Sequence, residues 1–287
     1  MSRIAYVNGR YVSHAQASVH IEDRGYQFAD GVYEVCEVRD GRLVDETGHM
    51  ARLRRSLKEL SIREPMTEGA LKLVLRETVR RNRVRDGIVY IQVTRGVSRR
   101  DHYFPPASVR PALVVTARPS DRAKIDAAAR AGVKVITVPE NRWPRVDIKT
   151  VGLLPNVLAK QQAKDAGAKE AWYVDRDGFV TEGGSTNAWI VTRDGIIRTR
   201  PAESGILRGI TRTTALRMAR DLQMRFDEAP FTVEEAKAAR EAFMTAATAI
   251  VTPVISIDGA PVGDGAPGPV ALELRRRFHE FAEIAED

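Results

Sequence analysis

The chain has 287 residues, 43% hydrophobic and 29% charged, the balance of an ordinary globular protein with room for two domains. Its formal net charge is +7, but the arginines are dispersed among acidic residues and aromatics make up only 6%, so no basic-aromatic platform for nucleic acid is present. A single cysteine, Cys36, excludes an intrachain disulfide and suits a reducing cytoplasm; no apolar run is long enough to span a membrane, and the first residues lack the apolar core of a signal peptide.

The chain opens as hairpins. Two short apolar runs flank Asn8-Gly9, a hairpin signal, and residues 31–38 alternate strictly before Asp40-Gly41 turns the chain back. That alternation puts Tyr33 on one face with Val35 and Glu37, opposite Glu34 and Cys36. Two helices follow. Thr47 is the expected cap of the first, which runs to Leu60 with Met50, Leu53 and Leu57 in one stripe. Thr67 is the expected cap of the second, which runs to about Asn82 with Leu71, Leu75 and Val79. Strands are expected at 88–94 and 112–117, on either side of an irregular charged segment holding Arg100, His102 and Tyr103.

A linker at 119–122 divides an N-terminal domain, 1–118, from a larger C-terminal domain, 123–287. The second domain begins with a strand at 133–138. Residues 146–150 read as a short alternating segment with Asp147 and Lys149 on one face. A helix starting at Pro155 is expected to bury Val157, Leu158 and Ala163. Residues 171–197 read as a meander in which 181–187 form a polar, glycine-rich turn. Gly209 to Thr211 opens a helix, Thr232 and Glu235 form a capping box, 242–245 is a strand, and an amphipathic helix from about Pro269 to Ile284 closes the chain. The class is α+β, with many antiparallel pairs.

Several features have chemical potential. A lysine at a strand end, a lone carboxylate and a glycine-rich turn are what a Schiff-base cofactor needs; Lys149 and Glu182 supply the first two, although most strand-end lysines are merely exposed. The first N–H groups of the helix at Thr211, and its hydroxyl, can hold a phosphate, with residues 246–248 as a second set of backbone donors and Arg52 as a charged contact. Arg100, His102 and the Tyr33 hydroxyl can grip a carboxylate. There is no Walker loop, dinucleotide fingerprint, Cys/His cluster for a metal, or Gly-x-Ser-x-Gly elbow.

Residues 22–35, 92–96, 147–149, 156–160, 181–183 with Ser185 and Asn187, 207–212 and 252–254 together resemble the fold-type IV pyridoxal-phosphate enzymes, and within them the D-amino acid aminotransferase branch. The resemblance implies a two-domain fold with the active site between the domains, pyridoxal 5'-phosphate as cofactor, and transfer of the amino group of a D-amino acid to a 2-oxo acid. It implies that Lys149 is the Schiff-base lysine and Glu182 the partner of the pyridine nitrogen. Arg52, Ile210 and Thr211 would hold the phosphate, with Leu207 near the ring. Tyr33, Arg100 and His102 would hold the substrate carboxylate. A homodimer is the family's common state. Ala246 and Ala247 depart from the hydroxyl residues that relatives often carry near the phosphate. A branched-chain aminotransferase, an aminodeoxychorismate lyase of the same fold and a non-catalytic binding protein remain as alternatives.

Overall fold

A computed structural model describes residues 3–203 and 205–285. They form two compact units, one of 1–121 with 148–152 and 283–287, the other of 122–147 with 153–282.

The first unit is built on a six-stranded antiparallel sheet. Its elements are β1 (Ile4–Val7), β2 (Arg10–Ser13), α1 (Arg24–Phe28), β3 (Gly31–Arg39), β4 (Arg42–Leu43), α2 (Glu46–Glu59), α3 (Glu68–Arg81), β5 (Gly87–Thr94) and β6 (Ala112–Pro119). The strand order is β2-β1-β6-β5-β3-β4. Asn8 and Gly9 both take positive φ, 46° and 96°, the tight hairpin turn that Asn-Gly favours. Alternation in β3 sends Val32, Cys36 and Val38 into a core completed by Leu53 and Leu57 of α2 and Leu75 and Val79 of α3. Thr67 caps α3, accepting from Ala70 N–H.

The cap of α2 differs from expectation. Asp45 occupies the N-cap in the left-handed region, and Thr47 lies inside the helix. The cause is long-range: Asp45 donates its N–H to Glu283 O at 2.7 Å and accepts the Glu283 N–H on Oδ1 at 2.9 Å, while Thr47 Oγ1 donates to the Glu283 carboxylate. Arg118 and Pro119, taken from composition as the edge of a linker, complete β6 against Ile88 and Gly87.

The second unit comprises α4 (Arg122–Ala131), β7 (Val133–Pro139), α5 (Leu154–Asp165), β8 (Glu170–Val174), β9 (Val180–Gly183), β10 (Asn187–Val191), β11 (Ile197–Thr199), α6 (Ile210–Asp221), β12 (Phe226–Glu228), α7 (Val233–Lys237), β13 (Glu241–Ala246), β14 (Ile250–Ile257), β15 (Ala260–Pro261) and α8 (Pro269–Phe281). The sheet runs β12-β11-β10-β13-β14-β7-β8-β9, with β15 paired to β14. It is mixed. β7 and β8 are parallel neighbours joined through α5, a crossover that parallel pairing requires. Thr232 and Glu235 form the capping box of α7.

Two expectations fail here. Val157 and Leu158 of α5 are exposed; the helix buries Ala163, as expected, together with Ala159. Thr181, Glu182 and Gly183 continue strand β9 rather than forming a turn, because Trp172 of β8 pairs with Gly183. The β13–β14 hairpin turns through Ala247, Thr248 and Ala249 into Ile250, whose φ of +58° costs a β-branched residue about 1–2 kcal/mol.

Candidate active site

Residues 146–150 form turns, not a strand; Asp147 pairs with Arg145 at 2.9 Å rather than sharing a face with Lys149. The domain boundaries drawn from the sequence put Lys149 in the C-terminal domain, but it groups with the first unit because 148–152 docks on β3. Tyr33 N–H donates to Lys149 O at 2.9 Å, Val151 N–H to Gly31 O at 3.1 Å, and Ile148 joins the first unit's core. Lys149 Nζ lies 4.2 Å from the centroid of the Tyr33 ring, a cation over a π face. Tyr33 in turn stacks on Tyr90 with centroids 5.7 Å apart, and burial followed by the Tyr33 phenol pushes the Tyr90 phenol up to about 12.

Arg52 reaches the other face of β3. Its Nε and Nη2 donate to the two oxygens of fully buried Glu34 at 2.7 and 2.8 Å, and His49 Nδ1 lies 2.8 Å from the same carboxylate. Burial alone would raise the Glu34 carboxyl, but the Arg52 guanidinium and the His49 contact hold it well below the usual carboxylate range. The structure thus presents Arg52 as one half of an ion pair. Arg100 and His102 gather on Phe28: the Arg100 guanidinium lies 5.0 Å from that ring and the His102 ring 5.5 Å, both side chains remaining exposed. The segment that carries them is tied down by Arg95 and Arg24. Each holds Asp30, Arg24 also donates to Asp101 O, and Arg95 lies over Phe104.

In the second unit, Glu182 projects from β9 into a buried polar knot. Arg142 Nη1 donates to its Oε1 at 2.6 Å; Asn187 Nδ2 and Leu207 N–H donate to Oε2, each at 3.1 Å. Asn187 also donates to Leu207 O, so strand β10 holds the loop before α6, and a side chain at Gly209 would strike the Asn187 amide. Arg142 is shared: its Nε and Nη2 clasp Glu140 at 2.8 and 2.6 Å. Burial raises the Glu182 carboxyl and Arg142 offsets this only in part, whereas Glu140, against the same burial penalty, is pulled down by Arg142. Two carboxyls thus share one guanidinium, so Glu182 receives only part of the charge of Arg142. At α6, Gly209 is the N-cap and provides no capping side chain; Ile210 and buried Thr211 form the first turn, whose N–H groups suit an anion.

The structure therefore brings together Lys149 and Tyr33, then Arg100 and His102, in the first unit, and Glu182, Leu207, Ile210 and Thr211 in the second. Sequence reasoning missed Glu34, His49, Glu140 and Arg142. Glu34 had a signal, a charged residue on the apolar face of an alternating strand. Arg142 had none, since its role depends on residues forty positions away.

A lysine seated on an aromatic ring in the first unit, and a buried carboxyl that shares its guanidinium and an uncapped helix start in the second, are groups that a phosphate-bearing cofactor with a basic ring nitrogen can use. Residues 31–257 match the family Amino-transferase class IV. The chain is 41% identical over 278 residues, 97% of each chain, to a D-alanine aminotransferase of Staphylococcus haemolyticus. It is 43% identical over 268 residues, 93% of each, to that of Bacillus licheniformis. A branched-chain amino acid aminotransferase of T.th., solved with pyridoxamine 5'-phosphate, superposes with a TM-score of 0.90 at 29% identity, covering 98% of this chain and 94% of that one. The chain belongs to the class IV aminotransferases, and its cofactor is pyridoxal 5'-phosphate. The residues fit that group: the buried Glu182 carboxyl, which shares Arg142 with Glu140, suits a partner for the ring nitrogen, and the uncapped start of α6 suits a phosphate.

Proposed function

We propose that the chain is a transaminase of D-amino acids, moving the amino group of a small D-amino acid such as D-alanine to a 2-oxo acid such as pyruvate or 2-oxoglutarate. The observation that carries this reading is its 41–43% identity, over nearly the whole length, to enzymes that act on D-alanine, against 29% to the branched-chain enzyme.

When bound, pyridoxal phosphate supplies an electron sink for the pair left at the substrate Cα when its proton departs. Lys149 Nζ would hold the cofactor covalently and, when free, would take the substrate Cα proton as the base and give it back. The Tyr33 ring, 4.2 Å from Nζ, seats the Lys149 side chain. Glu182, whose two oxygens Arg142, Asn187 and the Leu207 N–H fix, would pair with the ring nitrogen. Ile210 and Thr211, in the first turn of α6, would hold the phosphate, with Arg52, oriented by Glu34, as a further contact, and Leu207 would lie near the ring. Tyr33, Arg100 and His102 take the substrate carboxylate; the exposure of Arg100 and His102 leaves both guanidinium and imidazole available to it.

A homodimer is part of this reading. Val19, Ile21, Tyr26, Val97, Tyr103 and Phe104 are all exposed, on two segments joined by an Asp23–Val97 bridge and a Ser98 N–H to Glu22 O bond. An exposed apolar surface of this kind suits a second copy of the chain, and sedimentation at the monomer mass would remove it. A cytoplasmic location agrees with the lone, buried Cys36.

The deciding experiment mixes the cofactor-loaded protein with D-alanine and then L-alanine and follows the cofactor's visible absorbance. A change with D-alanine alone is expected. A change with L-amino acids alone would replace this reading with that of a branched-chain enzyme, and pyruvate release without an amino acceptor would replace it with that of a lyase.

A further inference from the structure

Ala246 and Ala247 have no hydroxyl to offer an anion, so at these two positions the β13–β14 turn can serve the cofactor phosphate only through its backbone. This inference rests on the assignment of that turn to the phosphate. The N–H of Ala249 closes back on Ala246 O at 3.1 Å, while those of Ala247 and Thr248, at the crest, make no hydrogen bond among the described residues. The turn leaves through a left-handed residue, a conformation that favours glycine; here it is Ile250, at φ +58°, the first residue of β14 and the partner of Ala246. A β-branched residue holds that conformation only where its surroundings impose it.

The surroundings are specific. Arg275 of α8 donates through Nη1 to Ala249 O at 2.7 Å and to Val251 O at 2.8 Å, the carbonyls on either side of Ile250. Its Nη2 donates to Asp126 Oδ1 of α4 at 2.6 Å, which fixes the guanidinium plane. Thr252 Oγ1 adds a third bond, to Ala249 O at 3.0 Å. We propose that Arg275 is a positioning residue for cofactor binding, clamping the carbonyls around Ile250 so that the strained turn presents the Ala247 and Thr248 N–H groups to the phosphate. Arg275 touches neither cofactor nor substrate; it acts through the turn.

The test titrates the cofactor-free protein with pyridoxal phosphate and, separately, with pyridoxal, which lacks the phosphate. Arg275→Met should weaken pyridoxal phosphate about tenfold, roughly 1.4 kcal/mol, and leave pyridoxal unchanged. Adding Ile250→Gly should restore most of the loss, because glycine takes the left-handed conformation unaided. Equal weakening of both ligands, or none, overturns the clamp. Should Arg275→Met fail to fold, Ile250→Gly is compared with the Ile250→Gly/Arg275→Met pair; equal phosphate-dependent affinity supports the proposal, and a tenfold gap refutes it. Ala247→Pro tests the underlying assignment separately: proline suits the first central position of the turn but removes one N–H. If it leaves the preference for the phosphorylated ligand intact, the turn does not serve the phosphate. If it lowers that preference while Arg275→Met does not, the assignment stands and the clamp falls.

Discussion

Replacing Glu34 by Gln tests the buried ion pair behind β3. The carboxylate is fully buried and serves three donors, Arg52 Nε, Arg52 Nη2 and His49. Gln keeps the shape and one acceptor but removes the charge, leaving a guanidinium whose side chain is 10% exposed without its counterion. Breaking one side of a buried pair costs about 3–5 kcal/mol, and the retained acceptor favours the lower end, ~3 kcal/mol. For a chain of this size each kcal/mol moves Tm by roughly 2–4 °C, so the variant should unfold about 6–12 °C below the parent at pH 7. The pH dependence has a fixed sign. The folded Glu34 carboxyl lies below its unfolded value, so its contribution is complete above the ordinary carboxylate range and fades as pH falls through the folded value. The gap between parent and variant should therefore narrow between about pH 5 and pH 3. Circular dichroism melts of the cofactor-free proteins across that range measure it. A variant within about 2 °C of the parent at pH 7, or a gap that persists on acidification, would refute the reasoning.

Lys149→Ala should abolish transamination and the trapping of cofactor by borohydride; retained turnover would remove the central assignment. Arg100→Ala should raise the apparent KM for amino acids roughly 10- to 100-fold, the worth of a charge-assisted hydrogen bond at about 1.5–3 kcal/mol, with a smaller change in kcat; an unchanged KM for every amino acid places the carboxylate elsewhere. Thr232→Ala removes the hydroxyl that accepts the Glu235 N–H in the α7 capping box, leaving the Thr232 N–H to Glu235 bond, and should cost about 1 kcal/mol in a denaturant melt without altering the KM for D-alanine.

Most elements were legible because their signals are local. Asn8-Gly9, the alternation of 31–38, the Thr67 cap and the Thr232–Glu235 box each work through a few neighbouring residues, and the structure realises them. The failures share a cause. Asp45 displaced Thr47 as cap because the C-terminal segment 283–285 returns to bond it. Glu182 lies in a strand because β8 lends it a partner, and residues 148–152 form no strand of their own because they dock on β3.

The division for the site is similar. The residue types made Lys149, Glu182, the start of α6 and the Tyr33, Arg100 and His102 set candidates, because Schiff-base, anion-binding and carboxylate-binding chemistry each demand particular side chains, and their expected roles came from the resemblance of the whole set of motifs to the fold-type IV enzymes. Only the tertiary structure could show the charges those residues carry among their neighbours. It puts Lys149 over an aromatic ring, neutralises Arg52 with Glu34, and gives Glu182 half a share of Arg142. Side-chain identity is local, but the field a buried group feels is summed over every charge and dipole that folding brings within a few ångströms of it, whatever its distance along the chain.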